Sequence, residues 1–309
     1  MREVFGEKLV ELGHLRNDLV VLDADVSSST QTAGFGKAFP ARFINCGIAE
    51  ANMVSLAAGL AASGFRPVVS TFAFLLAERA SDQIRSQIAY SSLPVILAGG
   101  YAGLSDFADG GSHQSISDLS TFLCMPNLAV FCPGDENEVA WALESALKLD
   151  GPSYLRISRG EVPQLPLNGI SDKGTVVRRE GKDVALLNTG HTLELAILAA
   201  ETLEGMGINV KFLDMARPKP FDGESVLAAA KECGAVITVE ENSTYGGFGS
   251  LVASFLSSNH PTPIEMLGIK DQFGQSGSYI ELRNYYGLSI TSVVEAARKV
   301  MNKKTIRTK

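Results

Sequence analysis

Residues 47–64 constrain this chain more than any other segment, because they place one carboxylate in a run of small apolar residues. Read as a helix over about residues 48–62, the segment puts Glu50 on the same side as Val54 and Ala61. A carboxyl on an apolar helix face is a candidate for proton transfer when it meets a basic group. A capping or solvated glutamate near a helix start is the alternative, and this pattern favours it equally.

Length and composition predict two globular domains. The chain has 309 residues, of which 45% are hydrophobic, and this is enough apolar material for two separate cores. No segment stays apolar over a membrane-spanning length, and residues 2–12 form an amphipathic pattern instead of a signal sequence. We therefore expect a cytoplasmic protein.

Charge and cysteine spacing argue against several classes of function. The net charge is −7 and there is no basic cluster, so nucleic acid and anionic membrane surfaces are not expected as partners. The four cysteines form no CxxC pair and show no zinc-finger spacing. We expect them to be buried apolar residues in a reducing compartment, with neither a metal site nor a catalytic thiol.

Short β-branched and apolar runs alternate with helical patterns along the chain. The predicted strands are 19–22, 68–71, 95–98, 129–131, 154–157, 184–187, 210–213 and 235–239, and the predicted helices include 74–90, 136–149 and 191–206. This alternation predicts the α/β class, with two doubly wound domains whose mostly parallel sheets are covered on both faces. Proline, glycine and charged residues interrupt the pattern, so we predict domains over 1–162 and 183–309 and a linker over 163–182.

A set of short motifs occurs in a fixed order. They are Leu22-Asp-Ala-Asp25, Gly47-Ile-Ala-Glu50, Ser70-Thr-Phe72, Asp109-Gly-Gly-Ser-His113, Ile157-Ser-Arg159, Glu240-Glu-Asn-Ser243 and Gly246-Gly-Phe-Gly249. In this order they resemble the pyrimidine-binding and C-terminal domains of thiamine diphosphate enzymes of the transketolase group. The resemblance covers nearly the whole chain. It implies a thiamine diphosphate-binding pyrimidine-type domain followed by a transketolase C-terminal-type domain.

One motif of that group is missing. Its members carry Gly-Asp-Gly, which holds the metal that clamps the diphosphate, and this chain contains no Gly-Asp-Gly. Its only Gly-Asp, Gly134-Asp135, follows Pro133 and is typical of a helix N-terminus. The resemblance therefore implies the C-terminal subunit of a split transketolase, active only with a partner. That N-terminal-half subunit would supply the diphosphate site and hold Mg²⁺ or Ca²⁺, in an expected α₂β₂ assembly.

The same resemblance assigns the cofactor site to Glu50, Phe72, Asp25 and Phe74. Glu50 would hydrogen-bond the ring nitrogen of the cofactor's aminopyrimidine as the catalytic acid, and Phe72 would stack on that ring. Asp25 matches an acid of the cofactor pocket, and Phe74 lies where family members often carry a second aromatic residue. Without the resemblance, Phe72 is a core aromatic and Asp25 is part of a turn.

The resemblance also assigns a substrate site, formed by Arg2, Ser29, Tyr101, Asp109, His113 and Arg159. His113 lies in a glycine-rich turn that we expect to lead into a helix, and it matches the catalytic, substrate-binding histidine of the family. Asp109 matches an acid that contacts a substrate hydroxyl. Arg2, Ser29 and Arg159 match residues that bind the anionic tail of the substrate, a role that suits the planar fork of arginine.

Two positions depart from the family pattern. Tyr101 stands where a histidine touches the substrate phosphate, and Ala108 replaces a usual acid. A neutral hydroxyl binds a phosphate dianion more weakly than a charged donor does. We therefore expect a two-carbon ketol transfer to an aldose from a non-standard anionic ketose, such as a sulfonated or branched sugar.

Other functions are open to the same sequence. A deoxyxylulose-phosphate synthase-like activity is close in motif, whereas a 2-oxoacid dehydrogenase β subunit normally reads His-Ser-Gln where this chain has Ser112-His113-Gln114. A non-catalytic regulatory subunit would have no need of Glu50, Phe72 and His113. Residues 246–250 resemble a dinucleotide loop without its acidic partner, so we expect a structural turn and assign no chemistry to the second domain.

Overall fold

The computed structural model describes residues 1–160, 162 and 164–307, with side chains as far as residue 304. It contains two α/β domains, each built on one sheet, as the alternating pattern predicts. Among the described residues, no helix combines the length and the apolar composition that a bilayer crossing requires.

The first domain is a six-stranded parallel sheet in the order β2-β1-β3-β4-β6-β5. Its strands are β1 (Leu19–Asp23), β2 (Phe43–Asn45), β3 (Arg66–Phe72), β4 (Ile96–Gly100), β5 (Ala129–Phe131) and β6 (Ser153–Arg156). Its helices are α1 (Arg2–Leu15), α2 (Ser27–Thr30), α3 (Ala33–Ala38), α4 (Glu50–Ala62), α5 (Ala73–Arg79), α6 (Ser81–Gln83), α7 (Asp118–Leu123) and α8 (Glu136–Leu147). Short 3₁₀ turns span Pro40–Arg42 and Gly110–Ser112, and a π turn spans Ile84–Ala89.

Each face of this sheet has its own apolar layer. Met53 of α4, Leu76 of α5 and Phe122 of α7 belong to one layer, and Phe5 of α1 and Leu143 of α8 belong to the other. Because both faces are buried, the strands read as continuous apolar runs without polar alternation.

The second domain has the strand order β11-β10-β8-β9-β7, in which only β7 is antiparallel among the described strands. The strands are β7 (Thr175–Arg179), β8 (Val184–Asn188), β9 (Val210–Met215), β10 (Val236–Ser243) and β11 (Ile264–Ile269). A 3₁₀ turn spans Gly190–Thr192, and the helices are α9 (Leu193–Gly205), α10 (Gly223–Cys233), α11 (Phe248–Asn259), α12 (Tyr279–Tyr285) and α13 (Ile290–Arg307).

The stretch predicted to be the linker, residues 163–182, contains strand β7, so this part of the prediction needs correction. β7 pairs with β9, with Thr175 opposite Met215 and Val177 opposite Leu213. The strand is short, lies at the sheet edge and has prolines and glycines before it, so its sequence gives little strand signal. The second sheet therefore begins before residue 183. Residue 163, where the predicted linker starts, lies outside the described residues.

Other differences concern element boundaries. The single helix predicted over residues 74–90 is divided into α5, α6 and the π turn that follows. Strands β2 and β11 were not predicted, because edge strands are only half buried and their apolar pattern is weak. The buried cysteines are Cys132 and Cys233, whereas Cys124 is exposed and Cys46 half-buried, contrary to the prediction that all four are buried.

Buried polar contacts join the two domains beside the loop that follows β4. Arg156 donates from Nε to Asp118 Oδ2 (2.7 Å) and from Nη2 to the carbonyl oxygen of Glu241 (2.9 Å). The backbone N–H of Leu104 donates to Glu241 Oε2 (3.3 Å). Buried polar groups keep their partners because losing them is costly, so these bonds fix the second domain against that loop.

Candidate active site

Most of the predicted site residues lie where parallel strands end. Asp25 follows β1, Phe72 ends β3, Tyr101 follows β4 and Arg159 lies three residues beyond β6. The carboxyl ends of parallel strands meet at the same edge of a sheet, where ligands of open α/β sheets bind. The topology therefore collects side chains that are far apart in sequence.

Four rings form a cluster at this edge. The ring centroids of Phe72 and Tyr101 are 4.6 Å apart, those of Phe74 and His113 are 5.2 Å apart, and those of Phe72 and His113 are 6.3 Å apart. Phe72, Phe74 and His113 are half-buried, so each keeps an accessible surface. Offset and edge contacts at these distances are favourable, and they hold the rings in a wall that a flat ligand could pack against.

Two arginines lie close to the ring of Tyr101. The guanidinium carbons of Arg2 and Arg159 are 5.1 and 5.3 Å from the centroid of its ring. Arg2 Nη1 donates to the Tyr101 hydroxyl oxygen (2.6 Å) and to the carbonyl oxygen of Ser29 (2.9 Å). Since that hydroxyl accepts from Arg2, its own hydrogen is available to an anion. The structure thus brings together the four residues predicted for the anionic tail.

The loop that carries Asp109 and His113 has a constrained backbone. Gly110 has φ +77°, and a Cβ there would lie 2.4 Å from Ser276 Oγ, so this turn requires glycine. His113 Nδ1 is hydrogen-bonded to Ser112 Oγ (2.9 Å), while Asp109 is exposed. The turn does not lead directly into a helix as predicted, because α7 begins only at Asp118. The bond to Ser112 uses Nδ1 of His113, so Nε2 of this half-buried ring is the nitrogen left for a ligand.

Asp106 is a site residue that the sequence analysis missed. Its side chain is fully buried, and neither carboxyl oxygen accepts a hydrogen bond from the described residues. Oδ1 lies 3.8 Å from Arg159 Nη1. Burial, reinforced by the neighbouring Asp109 carboxyl, raises the pKa of Asp106 to about 6. In the sequence, Asp106 is an ordinary acid of a loop, followed by Phe107, and no local pattern indicates its burial.

Glu50 begins α4 and is 3% exposed. Val54, Ala57 and Ala61 on the same face are also buried, which confirms the predicted helix face and excludes a solvated glutamate. Oε2 forms an ion pair of 3.5 Å with Arg79 Nη1, whereas Oε1 is buried without a hydrogen-bond partner among the described residues. A buried carboxyl oxygen without a partner is costly, so Oε1 is suited to a donor from a ligand.

Asp25 has the backbone of a turn. It is exposed, its φ is +65°, and it accepts a hydrogen bond from Asn45 Nδ2 (2.9 Å). Asp23, two residues earlier, is the buried acid, and it accepts from Thr30 and Thr32. Burial raises the pKa of Asp23. Asp23 therefore organises the turn, and Asp25 projects at the strand end, where the cofactor role predicted for it is sterically open.

The second domain supports the substrate loop from behind. Gln114 Nε2 donates to the carbonyl oxygen of Gln275 (3.0 Å), and Gly277 N–H donates to the carbonyl oxygen of Phe107 (3.2 Å). The Phe107 ring lies 6.5 Å from the Tyr279 ring and 5.4 Å from the Arg159 guanidinium carbon. The second domain thus packs against the same loop that carries Asp106, Asp109 and His113.

Behind this layer is a buried chain of hydrogen bonds. The hydroxyl of Tyr279 donates to Glu241 Oε1 and is also bonded to His191 Nδ1. Burial lowers the pKa of His191 to about 4. All three residues belong to the second domain, so these bonds hold α12 and the turn after β8 to strand β10.

In two segments that resemble anion-binding loops, carboxylates of this chain accept the hydrogen bonds of the backbone N–H groups. At the start of α11, Glu240 accepts from the backbone N–H groups of Phe248 (2.8 Å) and Gly249 (2.7 Å), and burial raises the pKa of Glu240 to about 7. At the start of α8, Asp135 Oδ1 accepts from Glu138 N–H (2.8 Å), as a helix cap does. A side-chain carboxylate already occupies the place a phosphate would need in each case.

The described residues contain no group of three or more histidine, cysteine, aspartate or glutamate side chains arranged to hold a metal ion. The first domain nevertheless has the aromatic, acidic and basic groups of a ligand site at the carboxyl edge of its sheet. A cluster of this kind at the carboxyl edge of a doubly wound sheet defines an α/β protein with a candidate ligand-binding site.

Comparison with known proteins defines the family. Residues 1–164 match the transketolase pyrimidine binding domain, and residues 173–293 match the transketolase C-terminal domain. The chain therefore belongs to the transketolase family, and it corresponds to the C-terminal subunit of a split transketolase.

Individual relatives agree with this assignment. The chain is 36% identical to the 6-deoxy-6-sulfo-D-fructose transketolase subunit SqwH of Clostridium sp. (strain MSTE9), covering 99% of this chain and 96% of that protein. It is also 36% identical to 1-deoxy-D-xylulose-5-phosphate synthase 1 of Geobacter sulfurreducens, but it spans only 47% of that protein. A solved split gene transketolase, described as an inactive beta4 tetramer, is 41% identical with a TM-score of 0.88, and 98% of each chain is covered.

Proposed function

We propose that this chain transfers a two-carbon ketol unit from an anionic ketose to an aldose, in a site shared with a second polypeptide. The observation that carries the proposal is the juxtaposition at one sheet edge of a ring cluster, the Asp109–His113 loop and the contacts of Arg2 and Arg159 with the Tyr101 ring. Rings, a polar reaction zone and an anion site are the three surfaces that a cofactor and a sugar with a charged tail require.

The residues present fit thiamine diphosphate, the cofactor of the family. Glu50 would hold a proton between its buried Oε1, which has no hydrogen-bond partner in the described part of the chain, and the pyrimidine ring of the cofactor. Phe72 and Phe74 would pack against that ring, and Asp25 would face the pocket. Thiamine diphosphate, when bound, supplies the nucleophilic carbon that carries the two-carbon unit. His113 and Asp109 would orient the sugar hydroxyls by hydrogen bonds.

A partner subunit would complete the site. This chain has no Gly-Asp-Gly, and we propose that an N-terminal-half transketolase subunit holds the diphosphate and Mg²⁺ or Ca²⁺ in an α₂β₂ assembly. The related beta4 tetramer described as inactive supports this division of labour, because that assembly contains only one kind of subunit. A cytoplasmic location is consistent with free thiols and is part of the same proposal.

The anionic tail of the ketose is proposed to be a sulfonate. The relative named as a sulfofructose transketolase subunit is similar over nearly its whole length, and Tyr101 supplies a neutral hydroxyl close to the two arginines. Full coverage of that relative favours ketol transfer over a deoxyxylulose-phosphate synthase activity, whose representative is about twice as long as the matched region.

The test is a panel of reactions with the reconstituted complex. Ketoses with sulfonate and phosphate tails are supplied with glyceraldehyde 3-phosphate as acceptor, and pyruvate is supplied in parallel reactions. We expect ketol transfer from the sulfonated ketose. Pyruvate turnover without ketose turnover would instead indicate a synthase or a 2-oxoacid dehydrogenase, and no turnover with bound cofactor would indicate a regulatory subunit.

A further inference from the structure

Asp106 is a buried carboxyl that makes no hydrogen bond with which to stabilise the fold, among the residues that the structure describes. Its side chain has no exposed surface, and both carboxyl oxygens lack hydrogen-bond donors among the described residues. Burying a carboxyl in this way is costly unless its charge meets another charge. The groups around it are Arg159, at 3.8 Å from Oδ1, and the site residues Asp109 and His113.

The charge of the anion site depends on this carboxyl. Arg2 Nη2 lies 3.2 Å from Glu3 Oε1, but the Glu3 side chain is half exposed, so water screens that pair. The Asp106 carboxyl has no exposed surface, so water screens its charge less than that of Glu3, although the Arg159 side chain facing it is 37% exposed. Tyr101 is a neutral donor. The site is therefore less positive than two arginines alone would make it.

We infer that Asp106 is a selectivity residue that acts through Arg159 and favours a ketose with a singly charged tail, such as a sulfonate, over a phosphate. The inference rests on the proposed function and concerns how the same site chooses its substrate. A phosphate monoester carries about −1.5 to −2 charges at pH 7, whereas a sulfonate carries one. The additional negative charge of the phosphate is repelled by Asp106, and rejection of the wrong ligand is an effective source of specificity. Asp106 has no exposed surface, so this effect would reach the substrate through Arg159.

Steady-state kinetics of the reconstituted complex test this role. We compare kcat/KM for 6-deoxy-6-sulfofructose and fructose 6-phosphate in the wild type, in Asp106→Asn and in Asp172→Asn, an exposed control with the same change of net charge. Asp106→Asn should shift the preference toward the phosphate by about tenfold, mostly through KM, because part of a charge is removed at short range. Asp172→Asn should leave the preference unchanged. An unchanged preference in Asp106→Asn, or an equal loss for both ketoses, overturns the inference.

A binding measurement separates this inference from the proposed function. Ethanesulfonate and ethyl phosphate are titrated into the same complex by isothermal calorimetry, without turnover, in the wild type, in Asp106→Asn and in Asp106→Ser. The wild type should bind the sulfonate more tightly, and both variants should reverse or abolish that preference. If neither ketose is turned over but this shift is seen, the proposed function fails and the role of Asp106 stands. If both variants keep the wild-type preference, Asp106 has no role in charge selection.

Discussion

Replacing Glu50 by glutamine should abolish most of the turnover while leaving the fold almost as stable. Glutamine keeps the shape of the side chain but cannot transfer a proton, and loss of one acid–base group typically lowers the rate by about 10²–10⁴. That is about 3–5 kcal/mol of transition-state stabilisation. The ion pair lost with Arg79 is 3.5 Å long and its arginine side chain is 56% exposed, so it contributes about 1 kcal/mol or less.

The assay is turnover of the reconstituted complex with saturating cofactor, alongside thermal unfolding of each variant. Glu295→Gln, an exposed glutamate on α13, is the matched control and should retain full activity. We expect Glu50→Gln to unfold within a few degrees of the wild type, since 1 kcal/mol shifts Tm by about 2–4 °C in a domain of this size. Near-normal turnover in Glu50→Gln would show that the carboxyl is structural.

Three further predictions concern specificity and stability. Tyr101→His should improve kcat/KM for phosphate-bearing relative to sulfonated ketoses by about tenfold, because charge-assisted bonds are stronger; paired kinetics that show no shift would contradict this. Asp118→Asn should lower the free energy of unfolding in denaturant by about 3–5 kcal/mol, since the charge of Arg156 stays buried without a carboxylate to balance it; a loss below about 1 kcal/mol would exclude the buried pair as a major contribution. The pKa of His191 is about 4 in the fold and 6.5 ordinarily, so stability should fall by about 3 kcal/mol as pH drops from about 6.5 to 4. His191→Gln should flatten that fall, and an unchanged pH profile would assign it to other groups.

The fold was predictable where the signal is local. Strands such as β3 and β8 are buried on both faces, so a short apolar run identifies them without knowledge of their neighbours. The α4 face is also local, because residues three and four apart are adjacent on any helix. Strand β7 was missed because its stability comes from pairing with β9, whose partner residues lie 33 to 40 positions later in the sequence, and not from its own composition.

The candidate site was predictable only in part. Motif order pointed to Glu50, Phe72 and His113, but no local pattern shows that Arg2 and Arg159 lie close to the ring of Tyr101, since these contacts depend on the sheet order. The family resemblance had assigned residues 2, 101 and 159 to one substrate site, but it could not show how their side chains pack.

Asp106 and the second domain show a different limit. In sequence, an acid three residues before Asp109 is an ordinary loop residue, and only the fold shows that it is buried beside Arg159. Similarly, Tyr279 has no motif, and its contact with the Phe107 ring arises from the packing of α12 on a loop of the other domain. Burial and packing between domains decide both roles, and neither leaves a periodic pattern in the chain.

The most direct test of the shared active site is cofactor binding and turnover by the separated and combined subunits. Thiamine diphosphate and Mg²⁺ are titrated into this chain, into a partner that carries Gly-Asp-Gly, and into their mixture, and ketol transfer is measured in each sample. We predict weak cofactor binding and no turnover by this chain alone, and tight binding with turnover in the mixture. Turnover by this chain alone would contradict the division of the active site between two polypeptides.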